Sequence, residues 1–314
     1  MVDWKKAKSC LPFIGIAIFI YILVKLNFLS ILKQIGEANQ LYLLLALIFV
    51  FLYMIVQTAK WFLIARKQKI KVSFRGAFRI NLIINFYELI TPAKLGIVVR
   101  AGYLTKNSKS VGKGVSNIVI DKVLDLSSLF LLLVAFSFVF REKLSMAFLY
   151  YLLVFFVIMV FGFWIFYKKE RSKYLLKIVY KRLVPKNMKK RARITFDSFY
   201  EDLPKKRFLA GVFFISLLAW IMNYLIVYVI GLSLGIELDF VYFLAILPLA
   251  TLVSQIPITI SGLGTKELTM IGLFGLFGVE AVKVFSMSIL SLLLTGILPS
   301  LIAVFLILKD KGKK

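Results

Sequence analysis

Six apolar runs, at 9–26, 41–65, 118–140, 144–167, 208–231 and 282–308, constrain this chain more than any other feature. A helix crosses the hydrocarbon core of a bilayer with about 20 apolar residues, and each run is long enough. So many runs cannot close around one water-facing core. The expected fold is therefore all-α, a polytopic membrane bundle. Composition agrees: 61% of residues are hydrophobic, against roughly 45–50% in soluble domains. The first run follows Lys5, Lys6 and Lys8 in the manner of a secretory signal. It continues to Lys25 without a small-residue cleavage site, so it reads as a retained span.

Two further stretches are apolar but interrupted. Residues 76–104 contain Asn81, Asn85, Glu88, Pro92, Lys94, Gly96 and Arg100; residues 240–279 contain Pro248, Gln255, Pro257, Gly262, Gly264, Lys266 and Glu267. Broken, polar backbone at membrane depth is tolerated only where protein or a wet cavity covers it. Each stretch is expected to form a re-entrant helical hairpin, turning at Pro92–Gly96 and Pro257–Gly264.

Charge placement fixes the expected topology. The N-terminus, 66–79, 106–113, 168–207 and the tail from Lys309 together hold 31 of the 41 Lys and Arg residues. The intervening connectors are poor in basic residues and carry Glu37, Glu142, Glu237, Asp239 and Glu280. By the positive-inside rule the basic side is cytoplasmic, with both termini there, in a cell-membrane protein. The bookkeeping closes with six full spans and two hairpins entering from opposite faces. The chain is then one membrane domain of two halves, 1–140 and 141–314, in opposite orientation, an inverted repeat of the kind transporters use. Residues 168–207 form a basic cytoplasmic linker. Its alternation of Leu, Ile and Tyr with Lys and Arg suits an amphipathic surface helix that attracts anionic lipid, or plain topology signalling. No nucleic-acid-binding motif accompanies the charge.

The absence of His and the single Cys10 exclude His-triad hydrolases, Cys-based zinc sites and disulfide-stapled domains. No metal site, cofactor or ATP-binding loop is expected. No nucleophile–base set is visible, so an enzyme is the least expected class. The ionisable residues left inside the membrane carry the functional signal, because each costs at least about 2.5–3.5 kcal/mol to insert. They are Lys60, Lys94, Arg100, Lys122 and Lys266 against Glu88, Asp121, Asp125 and Glu267. Asp121 and Asp125 are four apart and share a helix face, directed into the bundle or at a helix start. Arg100 is expected to clamp an oxyanion or to snorkel, and Lys60, near its span's end, to snorkel. Gly262 and Gly264 precede a helix whose exposed N–H groups suit an anion, beside Lys266 and Glu267; a plain turn with a Lys–Glu pair is the alternative. Asn85, Asn223 and Gln255 read first as helix-packing groups.

Three patches resemble a known family, the lysylphosphatidylglycerol synthase transmembrane region. Asn85 to Leu104, with Pro92, Gly96 and Arg100, is similar to its Asn–Pro–Gly–Arg pattern, although Ile97 stands where the family often has an acid. Asp121-Lys122-x2-Asp125 resembles a Glu-Arg-x2-Asp pattern. Gly262-x-Gly264-x2-Glu267 with Gly278-Val279 resembles a Gly-x-Gly-x2-Glu motif and its later Gly-Val. Larger members fuse this region to an aminoacyl-transferase; here the chain stops at Lys314, so the resemblance implies the membrane part alone. It implies a flippase-like lipid translocase without an ATP site, handling an anionic or phosphate-bearing lipid. Arg100, Lys94 and Lys266 would hold the anion, and Glu267, Asp121 and Asp125 would balance those cations or bind a cationic moiety or proton. The expected partners are membrane lipids with anionic head groups, and a membrane enzyme or second copy of the chain. A transporter of small polar solutes and a non-transporting subunit of a membrane glycosyltransferase remain the alternatives.

Overall fold

The computed structural model describes residues 4–91, 96–140, 142, 150, 153–154, 157–158, 161–162, 165, 168–174, 189–201, 203–255, 259 and 262–311. Pro92, Lys94 and Pro257, with the run 144–167 apart from scattered positions, lie outside them. The helices are α1 (Trp4–Lys25), α2 (Phe28–Gly36), α3 (Gln40–Lys67), α4 (Phe74–Ile90), α5 (Ile97–Ser108), α6 (Val111–Phe136), α7 (Lys189–Glu201), α8 (Lys206–Ser233), α9 (Phe240–Gln255), α10 (Thr265–Gly275), α11 (Ala281–Leu292) and α12 (Leu298–Lys311). A 3-10 turn extends α6 to Phe140, and a π turn, Leu293–Ile297, joins α11 to α12.

Among the described residues four helical stretches are long and apolar enough to cross a membrane: Gln40–Lys67, Val111–Phe140, Lys206–Ser233 and Ala281–Lys309. They match four of the expected runs. On α3 one stripe is buried (Ala46, Val50, Met54, Trp61), while Leu41, Leu44, Ile48 and Phe51 are exposed. Apolar character on both faces is the mark of a helix between protein and lipid, not between protein and water. The first run departs from a simple span. After Lys25 the chain bends by 79° into α2, so the two helices count together as a fifth candidate. The bend is built at Asn27, which takes a positive φ of 61° and accepts a hydrogen bond from the Leu29 N–H at 3.1 Å. Asparagine tolerates that conformation and caps helices well.

Both interrupted stretches are helix pairs whose second arm returns to the end where the first began. In the first, Ala77 at the start of α4 packs in one cluster with Leu104 near the end of α5. Across its tip, Thr91 accepts a hydrogen bond from the Gly96 N–H at 3.2 Å and donates to the Tyr87 carbonyl at 2.5 Å. A Cβ on Gly96 would sit 2.3 Å from the Glu88 nitrogen, so only glycine lets the arms approach there. In the second, Tyr242 stacks edge-on with Phe277 and Phe243 with Phe274, while Gly262 abuts Ser254 near the tip.

The two units open toward opposite ends of the bundle. The first begins beside the end of α3 and closes beside the start of α6, where Gln68 bonds Ser116 at 3.0 Å. The second begins beside the end of α8. There the Ser233 carbonyl receives the Asn39 N–H at 2.9 Å and the Gly235 carbonyl receives Lys283 at 3.2 Å. The end holding Arg66, Lys67, Arg75, Lys106 and Lys109 is also where Lys67 lies over the Phe208 ring and α7 packs on Gly112. The opposite end carries Glu37, Glu237, Asp239 and Glu280. In the linker, an exposed 2.7 Å pair, Lys169–Asp197, holds the Asp197 carboxyl below the usual carboxylate range by direct hydrogen bonding. An exposed pair of this kind adds little stability. The stretch 175–188, most of the expected surface helix, lies outside the described residues.

Both tips reach the middle of the last spanning helix. On α4, Arg79 bonds the Leu306 carbonyl and Asn85 the Thr295 carbonyl (3.3 and 3.1 Å), and Leu89 meets Gly296. On α10, Glu267 bonds Ser288 at 2.8 Å, about two turns short of that level.

Candidate functional site

Between the tips lies a cavity of about 500 Å³. The first unit contributes Glu88, Leu89, Ile97 and Arg100 to its wall; the second contributes Thr251, Ser254, Leu263, Lys266 and Glu267. Helix α6 adds Asp121, Lys122 and Asp125. Arg100, Asp121, Asp125 and Glu267, which the sequence reading singled out as charges inside the membrane, all border it.

One wall is a buried four-residue ionic cluster. Arg100 donates to Asp121 at 2.6 Å. Lys60 stands 3.1 Å from Asp121 and is hydrogen-bonded to Asp125. Asp121 and Asp125, four residues apart on α6, both turn toward α3, which runs antiparallel to it. Two cations therefore meet two anions in a low-dielectric setting, where ion pairing and hydrogen bonding offset the cost of stripping water from each. Arg100 also lies over the Trp61 ring, 5.3 Å from its centre. Behind the cluster Asn117 donates to the Trp61 carbonyl and to Gln68, and Trp220 donates to the Asp125 carbonyl at 3.0 Å. These bonds fix α3, α6 and α8 around the charges.

Lys60 corrects the sequence reading. It does not snorkel to an interface: it is 1% exposed and central to the cluster. Arg100 is not a free clamp either, since Asp121 already neutralises it. The glycine turn also differs from expectation. Gly262 and Gly264 adopt φ of +80° and +82°, as a turn into a helix demands. The Gly264 N–H, however, points at the Glu267 carboxylate, 2.6 Å away, and the second carboxylate oxygen accepts from Ser288. The helix start is thus occupied by the chain's own acid. Asn85 is a packing group, as read from the sequence, through its bond to the Thr295 carbonyl.

The sequence reading missed the polar face of the last span. Ser288, Ser291 and Thr295 recur three and four residues apart and all border the cavity; that spacing, visible in the sequence, places them on one helix face. It also missed Tyr53 and Gln57, single polar residues in an apolar helix, and the π turn. Such turns widen a helix locally and are frequent at functional sites.

Comparison with known proteins places the site in context. A family described as "Lysylphosphatidylglycerol synthase TM region" matches residues 12–303. Among curated proteins, one UPF0104 membrane protein of Methanocaldococcus jannaschii is 25% identical over 94% of this chain and 94% of its own length. A second from the same organism is 29% identical over 59% of this chain and 77% of its own. A UPF0104 membrane protein of Methanothermobacter thermautotrophicus is 28% identical, with 75% of each covered. The matched region includes every cavity-lining residue named above.

Proposed function

The chain belongs to the lysylphosphatidylglycerol synthase TM region family, and from that premise we propose that it is a lipid translocase rather than an enzyme, moving a phosphate-bearing or otherwise anionic lipid between leaflets. The carrying observation is the polar cavity at mid-depth, bordered by the tips of two broken helical units that open toward opposite ends of the bundle. Irregular backbone at membrane depth is tolerated only where protein or a wet cavity covers it, and discontinuous helices meeting at the midplane are a transporter arrangement. The proposal includes six full spans, with the run 144–167 as the sixth, an inverted relation between 1–140 and 141–314, and both termini in the cytoplasm of the cell. The ionic cluster would fix the cavity wall, and Lys266 would meet the anionic head group. Movement would run downhill or with an ion gradient.

Reconstitution of the full chain into liposomes with labelled anionic and polyprenyl-phosphate lipids tests the reading. Exchange between leaflets above that of protein-free vesicles is the expected result. Exchange no faster than protein-free vesicles for every lipid, with a polar solute taken up instead, would replace lipid by solute. The orientation is checked separately. In a Cys10→Ser background, cysteines replacing the exposed Lys33 and Glu237 should react with an impermeant thiol reagent on intact cells. Cysteines replacing Lys106 and Arg193 should react only after lysis. Labelling of the Arg193 position from outside would invert the topology.

A further inference from the structure

The charges around the cavity fall into two groups. Lys60, Arg100, Asp121 and Asp125 form ion pairs with one another, and Glu267 is held by a backbone N–H and a hydroxyl. Facing the space with no ion pair within 4 Å among the described residues are Lys122 of α6, Lys266 of α10 and Glu88 of α4. Among the described residues two cations thus stand against one anion. Beside them Asn81 of α4, Asn223 of α8 and Ser291 of α11 border the same space. Their side chains make no hydrogen bond to another described residue. An amide carries both donors and acceptors, and a hydroxyl carries one donor and two lone pairs. Groups of that kind match a ligand rich in hydroxyls, which also donates and accepts.

The geometry points to a phosphate ester of a polyol, such as a sugar phosphate head, as the ligand of this cavity, with no amine on it. The phosphate lies between Lys122 and Lys266, and Asn81, Asn223 and Ser291 take the hydroxyls. Glu88, an acceptor-only group when ionised, takes a further hydroxyl. An ammonium on the head group would add a third cation to a wall where, among the described residues, Glu88 is the one acid without an ion pair or hydrogen bond. The space of about 500 Å³ lies within the roughly 300–1,000 Å³ of small-molecule sites, ample for one head group. The inference deepens the translocase reading by naming the head-group class. The same chemistry would arrive on a lipid or as a free sugar phosphate.

Trp61 and Trp220 border the cavity and supply the signal. Tryptophan emission of the full chain in detergent is titrated with hexose 1-phosphate, inorganic phosphate, a methyl hexoside and phosphoethanolamine. The hexose phosphate should bind about tenfold more tightly than any of the others, because a site built for hydroxyls penalises ligands that leave its groups unpaired. In the Asn81→Ala/Asn223→Ala variant that preference should shrink to about twofold with phosphate binding unchanged, whereas Lys266→Gln should weaken every phosphate. Phosphoethanolamine or inorganic phosphate binding as tightly as the hexose phosphate to the wild-type chain overturns the inference, whatever the variants do. The lipid source is tested in nanodiscs with phosphatidylinositol against phosphatidylethanolamine. Preference for the inositol lipid supports the inference with a lipid source. Preference confined to the free sugar phosphate keeps the head-group class and removes the translocase reading. Leaflet exchange without any polyol preference does the reverse.

Discussion

Lys60→Met should be among the most damaging single substitutions in this protein. Methionine fills the space but leaves Asp125 without its cation and Asp121 with Arg100 alone. Removing one partner of a buried pair costs about 3–5 kcal/mol, chiefly from the charge left uncompensated. The expected result is a large fall in the melting temperature of the detergent-purified protein and in the fraction eluting as a single species. Lys60→Met/Asp125→Leu should regain most of the loss, because the pair leaves together and Arg100–Asp121 remains balanced. A single variant that melts with the wild type would mean that Lys60 does not carry its charge in this cluster. A double variant no better than the single would assign the damage to lost packing.

Gly264→Ala should come next. The added Cβ would lie 2.2 Å from the carbonyl oxygen of Gly15, a backbone atom of α1, at a residue whose φ is +82°. Left-handed backbone costs a non-glycine residue about 1–2 kcal/mol before any collision. With the forced separation of α1 from the second tip, the total should reach about 3 kcal/mol. Gly272→Ala on the same helix is the control: nothing lies within 4 Å of its added Cβ, and alanine favours helix over glycine by about 0.5–1 kcal/mol. The pair is read by thermal unfolding monitored at the tryptophans. Equal melting temperatures for the two variants would remove the close approach of α1 and the tip.

The two broken helix pairs and most of the cavity wall were legible in the sequence because the physics that shaped them is local. A proline or glycine inside an apolar run, and basic residues on both flanks of one unit but neither flank of the other, are both written in order along the chain. Arg100, Asp121 and Asp125 stood out for the same reason, as charges that a span does not carry without cause. Lys60 was misread because its depth depends on where α3 stops. The apolar run ends at 65, yet the helix continues to Lys67, so Lys60 sits about 10 Å inside at 1.5 Å per residue. Its partners lie more than sixty positions away, and pairing across an antiparallel helix pair leaves no periodic trace. The bend after Lys25 hid behind continuous hydrophobicity, Asn27 being its one signal. The anion reading of Gly262 and Gly264 failed on an intramolecular competitor: a glutamate three residues into a helix reaches back to its start before any ligand does.

The π turn at Leu293–Ile297 sets the two halves of the last span out of phase. A wide turn holds one residue more than an α turn, and each residue of an α-helix advances about 100° around the axis. The half that carries Ser288 and Ser291 and the half that carries Ser300, Ala303 and Lys309 therefore differ in azimuth by that step. A single continuous helix thus presents one sector to the cavity and, beyond its midpoint, a different sector to α4. Moving the wide turn along the span by a few residues would swing the intervening side chains around the axis without lengthening the helix, and with them the polar sector that faces the cavity.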